Sequence, residues 1–213
     1  MFLRFLVRNP FFDYGKFFEM LNKKAPRESP RYLYLHMYGA RALEEALKVC
    51  KGLGMKPFLL FGTLLGHYRD NGFIAHDWDI DLGLLGEDFS RATDLKSAME
   101  RKGFSVIAQS TYGIAFRHRH RFPKVKIDFY VVYRDGDRMA CSVNLRGSNI
   151  CYYPLDMFSE FSDAKFMGTI DTLIPAQTEK YLALTYGKDW RTPRVNFSKS
   201  DYTNVEVKKE GPR

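Results

Sequence analysis

Between Phe61 and Leu85 the chain reads FGTLLGHYRDNGFIAHDWDIDLGLL. An apolar run, Phe58 to Phe61, follows Pro57 and has the composition of a buried strand. Gly62 and Thr63 break it and open a helical stretch toward Arg69, after which Asp79 to Leu85 alternates acidic and apolar residues, the pattern of a strand with one functional face. Upstream, Met37, Ala40, Leu43, Leu47 and Cys50 recur at three- and four-residue steps, an amphipathic helix from Tyr34 to Lys51 closed by Gly52 and Gly54. Downstream, Phe89, Ala92, Leu95 and Met99 mark another helix, ended by Gly103. Phe104 to Ala108, Tyr112 to Arg117, Val125 to Tyr133 and Arg138 to Val143 read as strands. A short helix around Tyr181 to Tyr186 ends at Gly187. This order predicts a mixed α/β (α+β) sheet flanked by helices, in one domain over residues 32–195. An aromatic and basic arm (1–31) precedes it, and a polar tail (196–213), expected to be mobile, follows.

The 213 residues carry 33 Lys and Arg against 25 Asp and Glu, a net charge of +8, and 45% are hydrophobic. That balance excludes disorder over most of the chain. No internal repeat is present, which removes solenoids and propellers, and no apolar run approaches the roughly 20 residues of a membrane span. Three widely spaced cysteines, Cys50, Cys141 and Cys151, argue against a disulfide framework or a cysteine zinc site. They point to reduced thiols and a cytoplasmic location. The arm is too short in its apolar stretch, and too interrupted by Arg4 and Arg8, for a signal peptide. Its interleaved Phe, Arg and Lys residues suit either peripheral contact with an anionic membrane or docking on the protein's own core. The net charge comes with no nucleic-acid-binding motif, so anionic small substrates are the expected partners.

Asp79 and Asp81 lie two apart on a strand, so their carboxylates share one face. Two such groups repel unless a cation sits between them, and oxygen-only ligands suit Mg²⁺ or Mn²⁺. Gly62 would let backbone approach a phosphate and Thr63 would supply a hydroxyl at a helix N-terminus, although an ordinary strand-to-helix turn reads the same way. Asp128, inside the apolar strand Lys126-Ile127-Asp128-Phe129, needs a partner, which the Asp79/Asp81 face or backbone hydrogen bonds could provide. Arg69 can hold phosphate bidentately. The basic stretch Arg117 to Arg121 reads either as a loop reaching toward an anionic ligand or as a solvated one. His36 and His67 read as packing or surface residues.

The order Gly-Thr-Leu-Leu-Gly, a downstream Arg, Gly-Phe-Ile and Asp-x-Asp resembles the LicD/fukutin family of nucleotidyltransferase-fold phosphotransferases. The likeness continues through KVKIDFYVVY (124–133) and FMGTIDTLIPAQTEKYLALTYGKDWRTP (166–193), nearer to the fukutin branch. It implies a nucleotidyltransferase-like mixed sheet. Asp79 and Asp81 would hold the metal, and Asp128 would be the third carboxylate, acting on the acceptor. Gly62, Thr63 and Arg69 would face the donor's phosphates. Tyr186, Gly187, Lys188 and Trp190 would shape the substrate cleft. His76 takes the substrate-facing place at which LicD-type members usually carry Trp, in Pro-Trp-Asp-Asp. The implied reaction is metal-dependent transfer of a phospho-alditol (ribitol or glycerol phosphate) or phosphocholine from a CDP-linked donor to a sugar hydroxyl of a glycan or polysaccharide, releasing CMP. The alternative on the same fold moves a nucleotidyl group from an NTP to a hydroxyl. A binding protein without chemistry is disfavoured because all three Asp positions are filled.

Overall fold

The computed structural model describes residues 31–118, 125–194, 197–198 and 201–207, with side chains described from Tyr34 onward. All of the predicted arm except Arg31, and residues 119–121 of the basic stretch, lie outside them. The elements in chain order are α1 (Arg31–Gly52), β1 (Phe58–Leu59), α2 (Phe61–Asp70), β2 (Asp79–Leu85), α3 (Gly86–Phe89), α4 (Ala92–Arg101), β3 (Phe104–Ser110), β4 (Gly113–His118) and β5 (Lys126–Asp135). After these come β6 (Arg138–Ser142), β7 (Asn149–Pro154), a 3₁₀ turn (Leu155–Phe158), β8 (Phe161–Phe166), β9 (Ile170–Pro175), α5 (Thr178–Tyr186) and β10 (Val205–Val207).

The strands form one mixed sheet in the order β10-β7-β6-β5-β2-β1-β9-β8, with β4 also on β5 and β3 on β4. β5 is the hub. One edge runs parallel to β2, while the other is shared by β4 over its first half and β6 over its second. The parallel register sets Asp79 beside Lys126, Ile80 beside Ile127 and Asp81 beside Asp128. Because side chains alternate between faces, Ile80, Leu82 and Leu84 enter the core with Ile127, Phe129 and Val131, while the charged residues share the opposite face. Leu35, Ala42, Leu43, Ala46, Val49 and Cys50 form the buried stripe of α1, which packs on β2 and α4.

The predicted helices and strands through Val143 fall within a few residues of the observed ones, and the predicted helix beginning at Phe89 is α4, preceded by the single turn α3. β7, β8 and β9 were not read from the sequence. The polar tail requires a correction, since Val205–Val207 pairs with β7 as the outermost strand and Phe197 and Tyr202 stack on Tyr186. The polarity of this segment hides a few aromatic anchors. All three cysteines are buried free thiols, and burial pushes Cys50 and Cys151 up to about 12. His36 hydrogen-bonds the Ile74 carbonyl, and burial lowers both His36 and His67.

Candidate active site

The register of β2 on β5 builds the site. Asp79 and Asp81 project from one face of β2, and Asp77 reaches the same place from the turn before it. The carboxylates of these three residues offer ligand oxygens within 4.8 Å of one another. Burial, then Asp79, holds the Asp77 carboxyl well above the usual carboxylate range. Burial does the same to Asp81, reinforced by Asp79, Asp77 and Asp128. Carboxylates placed this way repel one another and give up water, so the cluster asks for added positive charge.

The entrance to α2 closes over this cluster. Phe61 has φ +38°, a left-handed conformation that is costly for an aromatic residue, and its N–H donates to Tyr181 Oη at 3.2 Å. The strained turn aims the Gly62 N–H at Asp81 Oδ2, 3.0 Å away. A Cβ at Gly62 would lie 2.6 Å from Asp77 Oδ2 and 3.2 Å from Asp81 Oδ2, so any larger residue must push these carboxylates aside. The close approach expected of this glycine is therefore, in the protein alone, an approach to carboxylates. Thr63 departs from expectation: it is fully buried, and its Oγ1 accepts the Asp81 N–H at 2.8 Å instead of facing a ligand. It locks α2 onto β2.

Asp128 is 1% exposed. Its Oδ2 accepts hydrogen bonds from Lys126 Nζ at 2.5 Å and Tyr130 Oη at 3.1 Å, and its Oδ1 is buried with no partner among the described residues. Burial raises its pKa, against Lys126. Lys126 also pairs with Asp79 Oδ2 at 3.4 Å. Burial works to lower the Lys126 pKa, yet the neighbouring Asp128 and Asp79 leave it raised. An all-oxygen cluster, a glycine whose Cβ would intrude on it and an orphaned carboxylate oxygen nearby together fit a hard divalent cation. Asp77, Asp79 and Asp81 are the residues able to hold one.

A cavity of about 350 Å³ opens above the cluster. Of the residues singled out in the sequence, Gly62, Arg69, His76, Asp79, Asp81, Tyr186 and Trp190 line it. Arg69 gives Nε and Nη2 to Asp70, and burial, then Arg69, lowers His76. Tyr186 is buried with its ring 5.4 Å from that of Tyr202, while Trp190 stands edge-on to Tyr68. Four expected residues do not line the cavity: Thr63 and Asp128 lie beneath it, Lys188 is exposed, and Arg117 sits on β4 opposite Lys126. Arg117 ends the strand read from Tyr112 to Arg117 and pairs with β5, so the described part of the basic stretch, Arg117 and His118, belongs to β4 and not to a loop.

The structure adds Asp77, Trp78, Lys126, Tyr130, Thr192, Arg194, Phe197, Ser198 and Tyr202 to the wall. Lys126 and Tyr130 could have been found by parity, being two residues either side of Asp128 on one strand. Asp77 continues the two-residue alternation of Asp79 and Asp81 one step before the strand, a signal the sequence carries in Asp-Trp-Asp-Ile-Asp. The C-terminal residues lie over 110 positions from Asp81 in sequence and carry no local signal.

The family model described as LicD/FKTN/FKRP, nucleotidyltransferase domain, matches residues 54–176. Ribitol-5-phosphate transferase FKTN of Mus musculus is 27% identical over 175 residues, covering 77% of this chain and 36% of the mouse protein. Its Homo sapiens counterpart is 26% identical over 161 residues, covering 71% of this chain and 32% of the human protein. The chain thus spans about a third of the length of these relatives. Among solved structures, ANT(2")-Ia in complex with adenylyl-2"-tobramycin aligns with a TM-score of 0.47 at 15% identity, covering 75% of this chain and 81% of that one.

Proposed function

The chain belongs to the LicD/FKTN/FKRP family of nucleotidyltransferase domains, and from that membership we propose that it transfers a phospho-alditol (ribitol or glycerol phosphate) or phosphocholine group from a CDP-linked donor to a sugar hydroxyl of a glycan, releasing CMP. The observation that carries this reading is the convergence of Asp77, Asp79 and Asp81 beside Gly62 at the floor of one cavity. Asp77, Asp79 and Asp81 would hold Mg²⁺ or Mn²⁺, which when bound supplies positive charge to the donor's diphosphate and to the departing CMP.

The chain's own residues bind and orient the donor. Arg69 and Arg194 stand on the wall, paired through Nη2, and for Arg69 also Nε, with Asp70 and Asp189. Their remaining N–H groups can meet phosphate oxygens while the acids fix the side chains in place. Tyr186, Trp190, Phe197 and Tyr202 give the cavity an aromatic side suited to a pyrimidine ring. Asp128 is set back behind Lys126 and Tyr130, so in this reading it positions those two groups and does not itself reach the acceptor. Catalysis then rests on positioning and charge compensation.

Incubating the protein with labelled CDP-ribitol, CDP-glycerol, CDP-choline and NTPs, with Mg²⁺ and with chelator, tests the reading. CMP release that requires both a CDP-linked donor and the cation is the expected result. Pyrophosphate release from an NTP would establish nucleotidyl transfer in its place.

A further inference from the structure

We propose that Lys126 is a built-in counter-cation, which holds one edge of the carboxylate cluster in the metal-free protein and yields it when a divalent cation binds. The inference rests on the metal reading above and concerns what this lysine does to it.

The two contacts of Lys126 are unequal. Nζ lies 2.5 Å from Asp128 Oδ2 and 3.4 Å from Asp79 Oδ2. The short contact is an anchor on a residue set back from the cavity, while the long one reaches across to the cluster itself. Among the described residues, both ion pairs made by these carboxylates come from Lys126. The parallel register explains why one side chain reaches both, since Lys126 stands beside Asp79 and two residues from Asp128 on the same face. The ammonium also lies 5.2 Å from the ring centroid of Trp78, a 40% exposed residue on the cavity wall. Lys126 therefore lines the cavity beside the cluster, with its side chain 19% exposed.

Three crowded carboxylates need more charge than one ammonium provides, and a divalent cation brings two. On its arrival the Nζ–Asp79 contact breaks, cation–carboxylate contacts form, and the ammonium keeps its proton and stays on Asp128. No covalent bond changes and no buried carboxylate loses its partner. Lys126 thus stabilises the empty site and lowers its affinity for the cation, because each ion must displace it.

Calorimetric titration of the metal-stripped protein with Mn²⁺ and Mg²⁺ tests this. Lys126→Met should bind the cation more tightly, on the order of tenfold, as expected from removing one unit charge at close range. It should also lose thermal stability without metal and regain more of it on metal addition. Lys126→Arg, which keeps the charge, should stay near wild type. Because Lys126→Met leaves Asp128 buried without a cation and could unfold the chain, the double variant Lys126→Met/Asp128→Asn is compared with Asp128→Asn alone, and it should again bind more tightly. Equal or weaker binding in both comparisons would overturn the proposal, as a purely structural lysine would weaken the site when removed. If the wild type takes up neither cation, the metal reading falls and this inference with it. Wild-type uptake without the gain on lysine removal overturns the counter-cation alone.

Discussion

Asp81 ties the site together through three different groups. Its N–H goes to Thr63, its carbonyl accepts the Leu60 N–H, and its carboxylate accepts the Gly62 N–H. Replacing Asp79 or Asp81 by Asn keeps the size and removes a ligand charge, so turnover with any donor should fall below a few per cent of wild type while the far-ultraviolet circular dichroism is unchanged. Asp81 also carries a pH signature. Its carboxyl is raised in the folded protein, so the unfolded chain holds its proton less tightly at that site. Above the folded pKa the ionised group destabilises the fold by the full linkage term, and the penalty disappears as pH falls toward the unfolded value near 3.8. Without divalent cations, Asp81→Asn should therefore melt higher than wild type at pH 8, with a difference that shrinks on acidification. Each kcal/mol recovered is worth roughly 2–4 °C in a chain of this size. Saturating Mg²⁺ should reverse the order, since only the wild type keeps the full ligand set. Melting curves at several pH values, with and without Mg²⁺, measure it.

The elements that make the site were legible where periodicity speaks. β2 was read to its observed bounds because acidic and apolar residues alternate along it, and β5 to within two residues of its bounds because its apolar face is continuous. The pairing of β2 with β5, which turns two separate acidic strands into one charged surface, is a long-range choice that neither strand reveals alone. The turn into α2 was legible as a turn, with two readings open for its chemistry, a phosphate seat or an ordinary strand-to-helix turn. In the protein alone Gly62 is drawn against Asp77 and Asp81, and Thr63 is spent on the β2 backbone as the second reading has it. That distinction is testable within the helices. Gly62→Ala must push Asp77 or Asp81 aside, and a displacement near 1 Å at a reacting centre costs about 10²-fold in rate. Its turnover should fall by about that factor, and its cation affinity should fall with it. Gly52→Ala, at the end of α1, meets nothing within 4 Å. It should leave turnover unchanged and add up to about 1 kcal/mol of stability by urea unfolding.

At the scale of the whole molecule, the cavity is closed by parts of the chain that meet only in the finished fold. β2 and β5 supply the floor, α2 one rim, and the segment after α5 the far wall. That last segment returns to the sheet as β10, and on the way its Tyr202 packs on Phe61, Tyr186 and Phe197 at centroid separations of 5.4, 5.4 and 5.2 Å. Phe61 is the residue held at positive φ over the carboxylates, so the C-terminal segment clamps the strained turn at the site's centre. A side chain that only covered the surface could be lost at little cost, whereas one that clamps a strained turn should affect both stability and ligand binding. Tyr202→Ala should lower the free energy of unfolding by about 3–5 kcal/mol, the range for removing a packed aromatic ring. It should also raise the KM for the donor at least several-fold, because Phe61, Phe197 and Tyr186 lose their common support. Tyr202→Phe keeps the ring and should remain within about 1 kcal/mol of wild type with donor KM unchanged. If Tyr202→Ala loses stability while the KM of the remaining folded protein stays at the wild-type value, the segment is a structural edge and the cavity wall does not depend on it.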